Sequence, residues 1–243
     1  MLGLPDPIAA CLFDLDGVLT RTAVLHAEAW KATFDEFLAQ HGQQARPFDP
    51  VSDYNHYVDG RPRLDGVRAF LAARQIELPE GSPDDPPGAA TLHGLANAKN
   101  DLVLRLIRER GVEVYPGSVR FVDRARRSGL RCAVVSSSSN CRDVLVAAGI
   151  ERLFEVRIDG LVVEREGLAG KPAPDTFLAA ARALGVPPAR GAVFEDALAG
   201  VQAGRAGSFG YVVGVDRTGH ADELRRAGAD LVVCDLADLL DSA

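Results

Sequence analysis

The chain has 243 residues, 47% of them hydrophobic and 25% charged, a globular composition that excludes a disordered or fibrous chain. At ~150 residues per domain, this length gives between one and two domains. Lys and Arg number 27 against 34 Asp and Glu, and the net charge of −7 argues against nucleic acid or an anionic membrane as the main partner.

In chain order, the first apolar strand is predicted at Ile8–Asp14, ending on the acidic pair Asp14 and Asp16. Helical periodicity follows, with Ala27, Trp30, Phe34, Phe37 and Leu38 on one face. Residues 81–88 (GSPDDPPG) cannot be helix interior and read as an exposed loop. Leu102, Val103, Leu106 and Ile107 form a second apolar stripe. The next strand, Arg131–Ser136, begins more than a hundred residues after Asp14, far beyond what one crossover needs. A helix is predicted over Pro172–Leu184, closed by Gly185, and further strands over Gly191–Glu195, Gly210–Val215 and Ala229–Val233. Strands alternating with helices predict an α/β fold with a parallel sheet and right-handed crossovers. The expected architecture is a Rossmann-like core from residues 1–23 and 109–243, interrupted by an α-helical cap domain over residues 24–108. There is no internal repeat and no low-complexity tract.

Residues 1–7 carry neither the basic patch nor the apolar stretch of a signal peptide, and no apolar run approaches the ~18 residues of a membrane span. The cysteines, Cys11, Cys132, Cys141 and Cys234, lack metal-like spacing. Cys11, Cys132 and Cys234 sit in or beside apolar runs, where thiols are expected to be small, buried hydrophobes. A reduced, cytoplasmic protein without membrane association is the expectation.

Parallel sheets bind ligands beyond the carboxyl ends of their strands. Three polar clusters fall at that edge: Asp14–Thr22, Ser136–Asn140, and Glu195 with Asp196. An acidic pair after a strand is, alone, a turn or a helix cap. Here the strand's alternation lets Asp14 and Asp16 turn toward one opening, where two carboxylates repel unless a cation or proton separates them. Glu195 and Asp196 add two more acids, and four converging carboxylates suit a hard divalent cation such as Mg²⁺. Lys171, in GKPAPD, is not part of a P-loop, because Pro172 stands where Ser or Thr belongs. Alone it is a loop lysine; among acids it would offset charge and hold a phosphate oxygen. The hydroxyls and N–H groups of Ser136–Asn140 suit an anion, though a serine run by itself is only a turn. Eight arginines lie between Arg105 and Arg131, over apolar faces and without interleaved aromatics, so they read as solvated helix surface rather than a nucleic-acid patch.

The DxDGV segment, the strand-end serine, the GKPAPD lysine and EDALAGVQAG stand in the order and spacing of the haloacid dehalogenase superfamily, which essentially the whole chain resembles. That resemblance implies that Asp14 is a nucleophile forming an aspartyl phosphate and that Asp16 is the general acid and base. It implies that Ser136 and Lys171 bind the transferring phosphoryl group. Asp14, the backbone carbonyl of Asp16, Glu195 and Asp196 would hold Mg²⁺. Within the superfamily, Thr22–Lys31 (TAVLHAEAWK) is similar to the first cap helix of the β-phosphoglucomutase branch. The branch implies substrate contacts from Thr22, His26, Trp30, Gly60, Arg63, Lys99, Ser137 and Asn140. Trp30 would lie near the sugar, His26 would tune Asp16 or the cap hinge, and Arg63 would grip a second, non-transferring phosphate. Arg21, Asp59 and Ser139 depart from the branch's pattern. The implied reaction interconverts β-glucose 1-phosphate and glucose 6-phosphate through the 1,6-bisphosphate, with cap closure excluding water. A phosphatase of small sugar phosphates is the alternative on the same residues. A non-catalytic binding protein is opposed by the intact Asp14, Asp16, Lys171 and Asp196. The expected partner is a phosphorylated sugar, and the expected state a monomer.

Overall fold

The structure is a computed structural model that describes residues 2–40 and 46–240. The chain divides into two units, one formed by Met1–Arg21 with Val112–Ala243 and the other by Thr22–Gly111. In chain order the elements begin β1 (Ala10–Phe13), α1 (Thr22–Gln40), α2 (Arg63–Ala73), α3 (Leu92–Arg110), α4 (Pro116–Arg127) and β2 (Arg131–Val135). Then come α5 (Cys141–Ala147), β3 (Val156–Ile158), α6 (Gly160–Glu166), α7 (Asp175–Ala183) and β4 (Gly191–Glu195). The last are α8 (Leu198–Ala206), β5 (Tyr211–Val215), α9 (Ala221–Ala227) and β6 (Leu231–Val233).

In the first unit, the strands among the described residues form one parallel sheet, ordered β3-β2-β1-β4-β5-β6. The central strands are buried, which is why they read as continuous apolar runs. Strand order reverses around β1, the switch point where such sheets take ligands. Phe13 is level with Phe194 on β4, and their rings stack with centroids 4.6 Å apart. Phe121 of α4 meets Phe13 edge-on at 6.1 Å. This register sets Asp14 and Glu195 one residue onward at the same end of adjacent strands.

The structure departs from the sequence expectations in three places. β3 was not expected, because three residues with Arg157 at their centre make no apolar run, and the strand lies at the sheet edge. α7 starts at Asp175 rather than Pro172, since Ala173 N–H bonds back to Gly170 in a turn that precedes it. Cys11, Cys132 and Cys141 are buried, but Cys234 is exposed, just past an edge strand whose own residues are half-buried.

In the second unit, Trp30, Phe34, Phe37 and Leu38 of α1 pack with Val67, Phe70 and Leu71 of α2 and Leu95 of α3. Phe34 anchors the cluster, stacked on Trp30 at 5.1 Å and on Phe70 at 4.0 Å. Thr91 caps α3 by accepting the Gly94 N–H at 2.9 Å, and Arg108 and Arg110 in its last turn complement the helix dipole. Residues 76–91 hold no helix or strand, as the GSPDDPPG run requires. Among the described residues, no helix is long and apolar enough to cross a membrane.

Candidate active site

Lys171 is the centre of the acidic end of the sheet. Its side chain is fully buried, and its ammonium donates to Asp14 Oδ1 at 2.5 Å, Glu195 Oε1 at 2.6 Å and the Val135 carbonyl at 3.1 Å. Three donors with three acceptors leave the ammonium saturated. Burial, which opposes its charge, is outweighed by Asp14 and Glu195, so Lys171 holds its proton above the ordinary lysine range. Burial pushes the Asp14 carboxyl up from 3.8 to about 6, with Lys171 opposing. Burial likewise pushes Glu195 up from 4.5 to about 7, again against Lys171.

The neighbouring backbones leave little clearance. Glu195 Oε2 accepts the Ala197 N–H at 2.9 Å, and its Oε1 lies 1.8 Å from where a Cβ on Gly200 would stand. A Cβ on Gly17 would fall 1.7 Å from Asp196 Oδ2, and Gly17 also has a φ of +93°. Only glycine fits either position.

Asp14, Glu195 and Asp196 are all buried, and each offers a carboxylate oxygen within 4.8 Å of the others. This hard, all-oxygen donor set, faced by the single charge of Lys171, fits a small divalent cation. Such a cation would also relieve the repulsion that burial imposes on the ionised carboxylates. The Asp16 carboxylate stands outside this trio and accepts the Ser136 hydroxyl at 3.4 Å. Ser136 Oγ in turn accepts the Ser138 N–H at 3.1 Å, and Ser138 Oγ accepts the Asn140 N–H at 3.1 Å. The serine run is therefore an ordered turn reaching from β2 to Asn140, with Ser137 inside it. Asp14, Asp16, Ser136, Lys171, Glu195 and Asp196 thus all gather at the carboxyl end of the central strands.

Thr22, His26, Trp30, Gly60, Arg63 and Lys99 all lie in the helical unit. There Lys99, 4% exposed, points its ammonium at His26 Nδ1, 3.0 Å away, and lies 5.0 Å from the centroid of Trp30. An ammonium only donates, so Nδ1 accepts and the ring proton sits on Nε2. Burial, followed by Lys99 and Arg63, pushes His26 well below the usual histidine range. Arg63 is the first residue of α2, and Gly60, three residues before it, turns with a φ of +69°. Thr22 is the first residue of α1 and is buried.

Sequence reasoning passed over a fourth polar cluster at the same edge, Asp216–His220 after β5. His220 Nε2 lies 3.1 Å from the Asp196 carbonyl, and Arg217 Nε donates to the Gly17 carbonyl at 2.8 Å. The available signal is position alone: a polar run directly after a buried strand, as at Asp14–Thr22, Ser136–Asn140 and Glu195 with Asp196.

A family profile described as a haloacid dehalogenase-like hydrolase matches residues 8–207. The chain is 56% identical to a protein named beta-phosphoglucomutase from Mycobacterium bovis, over 99% of this chain and 94% of that one. A crystal structure of beta-phosphoglucomutase from Clostridium difficile aligns with a TM-score of 0.75 at 26% identity, covering 96% of this chain and 93% of that one. A structure of a CbbY variant from Rhodobacter sphaeroides in complex with xylulose-1,5-bisphosphate aligns with a TM-score of 0.70 at 26% identity, over 95% and 96% of the two chains.

Proposed function

Because this chain belongs to the haloacid dehalogenase-like hydrolase family and is a phosphotransferase or hydrolase, we propose that it is a β-phosphoglucomutase working through an aspartyl phosphate on Asp14. The observation that carries the chemistry is the buried trio of Asp14, Lys171 and Glu195 beside Asp16 and Ser136. The mutase assignment leans on the 56% identity to the mycobacterial protein.

In the proposed cycle, phosphorylated Asp14 gives its phosphoryl group to the 6-hydroxyl of β-glucose 1-phosphate. Asp16 takes the proton from that hydroxyl as the new O–P bond forms. The resulting 1,6-bisphosphate reorients, and the Asp14 carboxylate attacks the phosphorus at the 1-position. Asp16 returns its proton to the departing sugar oxygen, which leaves glucose 6-phosphate and phosphorylated Asp14. Ser136 and Lys171 orient the phosphoryl oxygens, and the fixed Lys171 charge stabilises what builds there. Mg²⁺ would be held by Asp14, the Asp16 backbone carbonyl, Glu195 and Asp196, and when bound supplies positive charge to the phosphoryl oxygens. Ser137 and Asn140 flank the same oxygens. Of the helical unit's residues, Arg63 is assigned to the second phosphate, Thr22, Trp30, Gly60 and Lys99 to the rest of the substrate, and His26 to tuning Asp16 or the cap hinge. The bisphosphate ligand of the Rhodobacter sphaeroides protein supports a two-phosphate substrate for this architecture.

The test supplies β-glucose 1-phosphate, Mg²⁺ and a trace of the 1,6-bisphosphate to the purified protein and measures glucose 6-phosphate and free phosphate together. Conversion to glucose 6-phosphate with little phosphate release is expected. Stoichiometric phosphate without isomerisation would replace the mutase by a phosphatase on the same residues.

A further inference from the structure

The loop between β5 and α9 carries contacts that its surface position does not require. The Asp216 carboxylate accepts the N–H groups of Thr218 at 3.2 Å, Gly219 at 2.7 Å and His220 at 3.0 Å, so the loop curls around its own acid. Its two side chains then reach into different parts of the site. Arg217 Nε donates to the Gly17 carbonyl at 2.8 Å, and Nη1 donates to the Cys234 carbonyl at 2.6 Å. The Arg217 guanidinium carbon lies 3.5 Å from the centroid of Tyr115, with 14% of the side chain exposed. Tyr115 is itself tied to the first loop, since its N–H donates to the Leu19 carbonyl at 2.9 Å. His220 Nε2 faces the Asp196 carbonyl, which only accepts, so Nε2–H donates; Nδ1 lies 2.7 Å from the Thr218 hydroxyl and 3.3 Å from Asp216 Oδ1.

We propose that Arg217 and His220 are positioning residues that lock the loop after β1 and the loop after β4 against one another. Both side chains hold main-chain oxygens, one in each acid-bearing loop. The two loops meet at Gly17, where the 1.7 Å between a notional Cβ and Asp196 Oδ2 leaves no slack. A small rotation of the Gly17 peptide therefore moves Asp16 relative to Asp196. Tyr115 supplies the wall against which Arg217 is held, and its ring rather than its hydroxyl makes that contact. The consequence for turnover rests on the phosphotransferase reading; the consequence for loop order does not.

Hydrogen exchange of the peptide spanning residues 14–20 and steady-state kinetics would be measured together for the wild type, Arg217→Met, Tyr115→Leu, Tyr115→Phe and His220→Ala. Arg217→Met and Tyr115→Leu are expected to exchange faster in that peptide, with the amides of β3, at the opposite edge of the sheet, unchanged. In both, and in His220→Ala, kcat should fall by up to about 10²-fold with KM nearly constant, as expected when reacting groups are misplaced rather than removed. Tyr115→Phe keeps the ring and should keep the wild-type exchange and rate. If Arg217→Met does not fold, Tyr115→Leu carries the same comparison. Unaltered exchange in folded Arg217→Met and Tyr115→Leu, or Tyr115→Phe as damaging as Tyr115→Leu, would overturn the proposal. A wild type inactive on every phosphoester would instead sink the functional reading, and the exchange result alone would then decide the clamp.

Discussion

Lys171 and the two carboxylates it joins show how charge is balanced at the bottom of the site. One ammonium offsets one carboxylate, yet Asp14 and Glu195 both bond to it and Asp196 stands beside them. Burial consequently raises Asp14 to about 6 and Glu195 to about 7. In the unfolded chain these acids lose their protons near their ordinary values of 3.8 and 4.5, while the fold still holds them. The unfolded state therefore binds fewer protons, and the metal-free fold loses stability from these groups as pH rises through that window. A divalent cation compensates the ionised forms, so the gain in melting temperature on adding Mg²⁺ should be small near about pH 5 and large near about pH 8. Thermal melts with Mg²⁺ and with a chelator check this. A gain independent of pH, or none at pH 8, would contradict it. Asp14, Asp16, Glu195 and Asp196 were legible as acids at strand ends, and Lys171 as a loop lysine just before a helix. Strand alternation counts Asp16 among four converging carboxylates, whereas its carboxylate faces Ser136, because alternation stops predicting direction once the strand has ended.

At the scale of elements, the site depends on how closely α8 passes beneath the end of β4. Gly200 makes this possible: a methyl there would lie 1.8 Å from Glu195 Oε1 and 1.9 Å from its carboxyl carbon. Gly200→Ala should cost about 1–3 kcal/mol as overpacking, measured by urea unfolding. Gly204→Ala, one turn on, would meet Val193 Cγ1 at 3.2 Å and should cost less. Equal costs at the two positions would show that helix passage is not what Gly200 secures. Strands β1, β2, β4 and β5 were visible in the sequence because both faces are buried and the apolar runs are unbroken. β3 was not, because Arg157 at its centre breaks the apolar run, whereas β6, an edge strand of the same length, reads as unbroken Leu231, Val232 and Val233. The Asp216–His220 loop was missed for a different reason: its importance lies in main-chain oxygens supplied by residues distant in sequence, Gly17 and Asp196.

For the whole molecule, the surplus length and the surplus acid acquire specific uses. More than a hundred residues between β1 and β2 include a separate helical unit with its own aromatic core around Phe34. Part of the net charge of −7 comes from carboxylates buried together at the sheet's edge rather than displayed to solvent. The order of motifs along the chain made the family legible, since three of the four segments follow buried strands and the fourth, GKPAPD, precedes α7. Substrate identity was less so, because Asp59 and Arg21 depart from the pattern that Arg63 and Lys99 follow. The central claim is that phosphoryl groups pass through Asp14. Its most direct test exposes the protein to β-glucose 1,6-bisphosphate and Mg²⁺, quenches with acid, reduces the acyl phosphate with borohydride and maps the peptides by mass spectrometry. Conversion of Asp14 to homoserine is the expected result, with Asp16 intact. Homoserine at Asp16, or at neither position in protein that is turning over substrate, would contradict it.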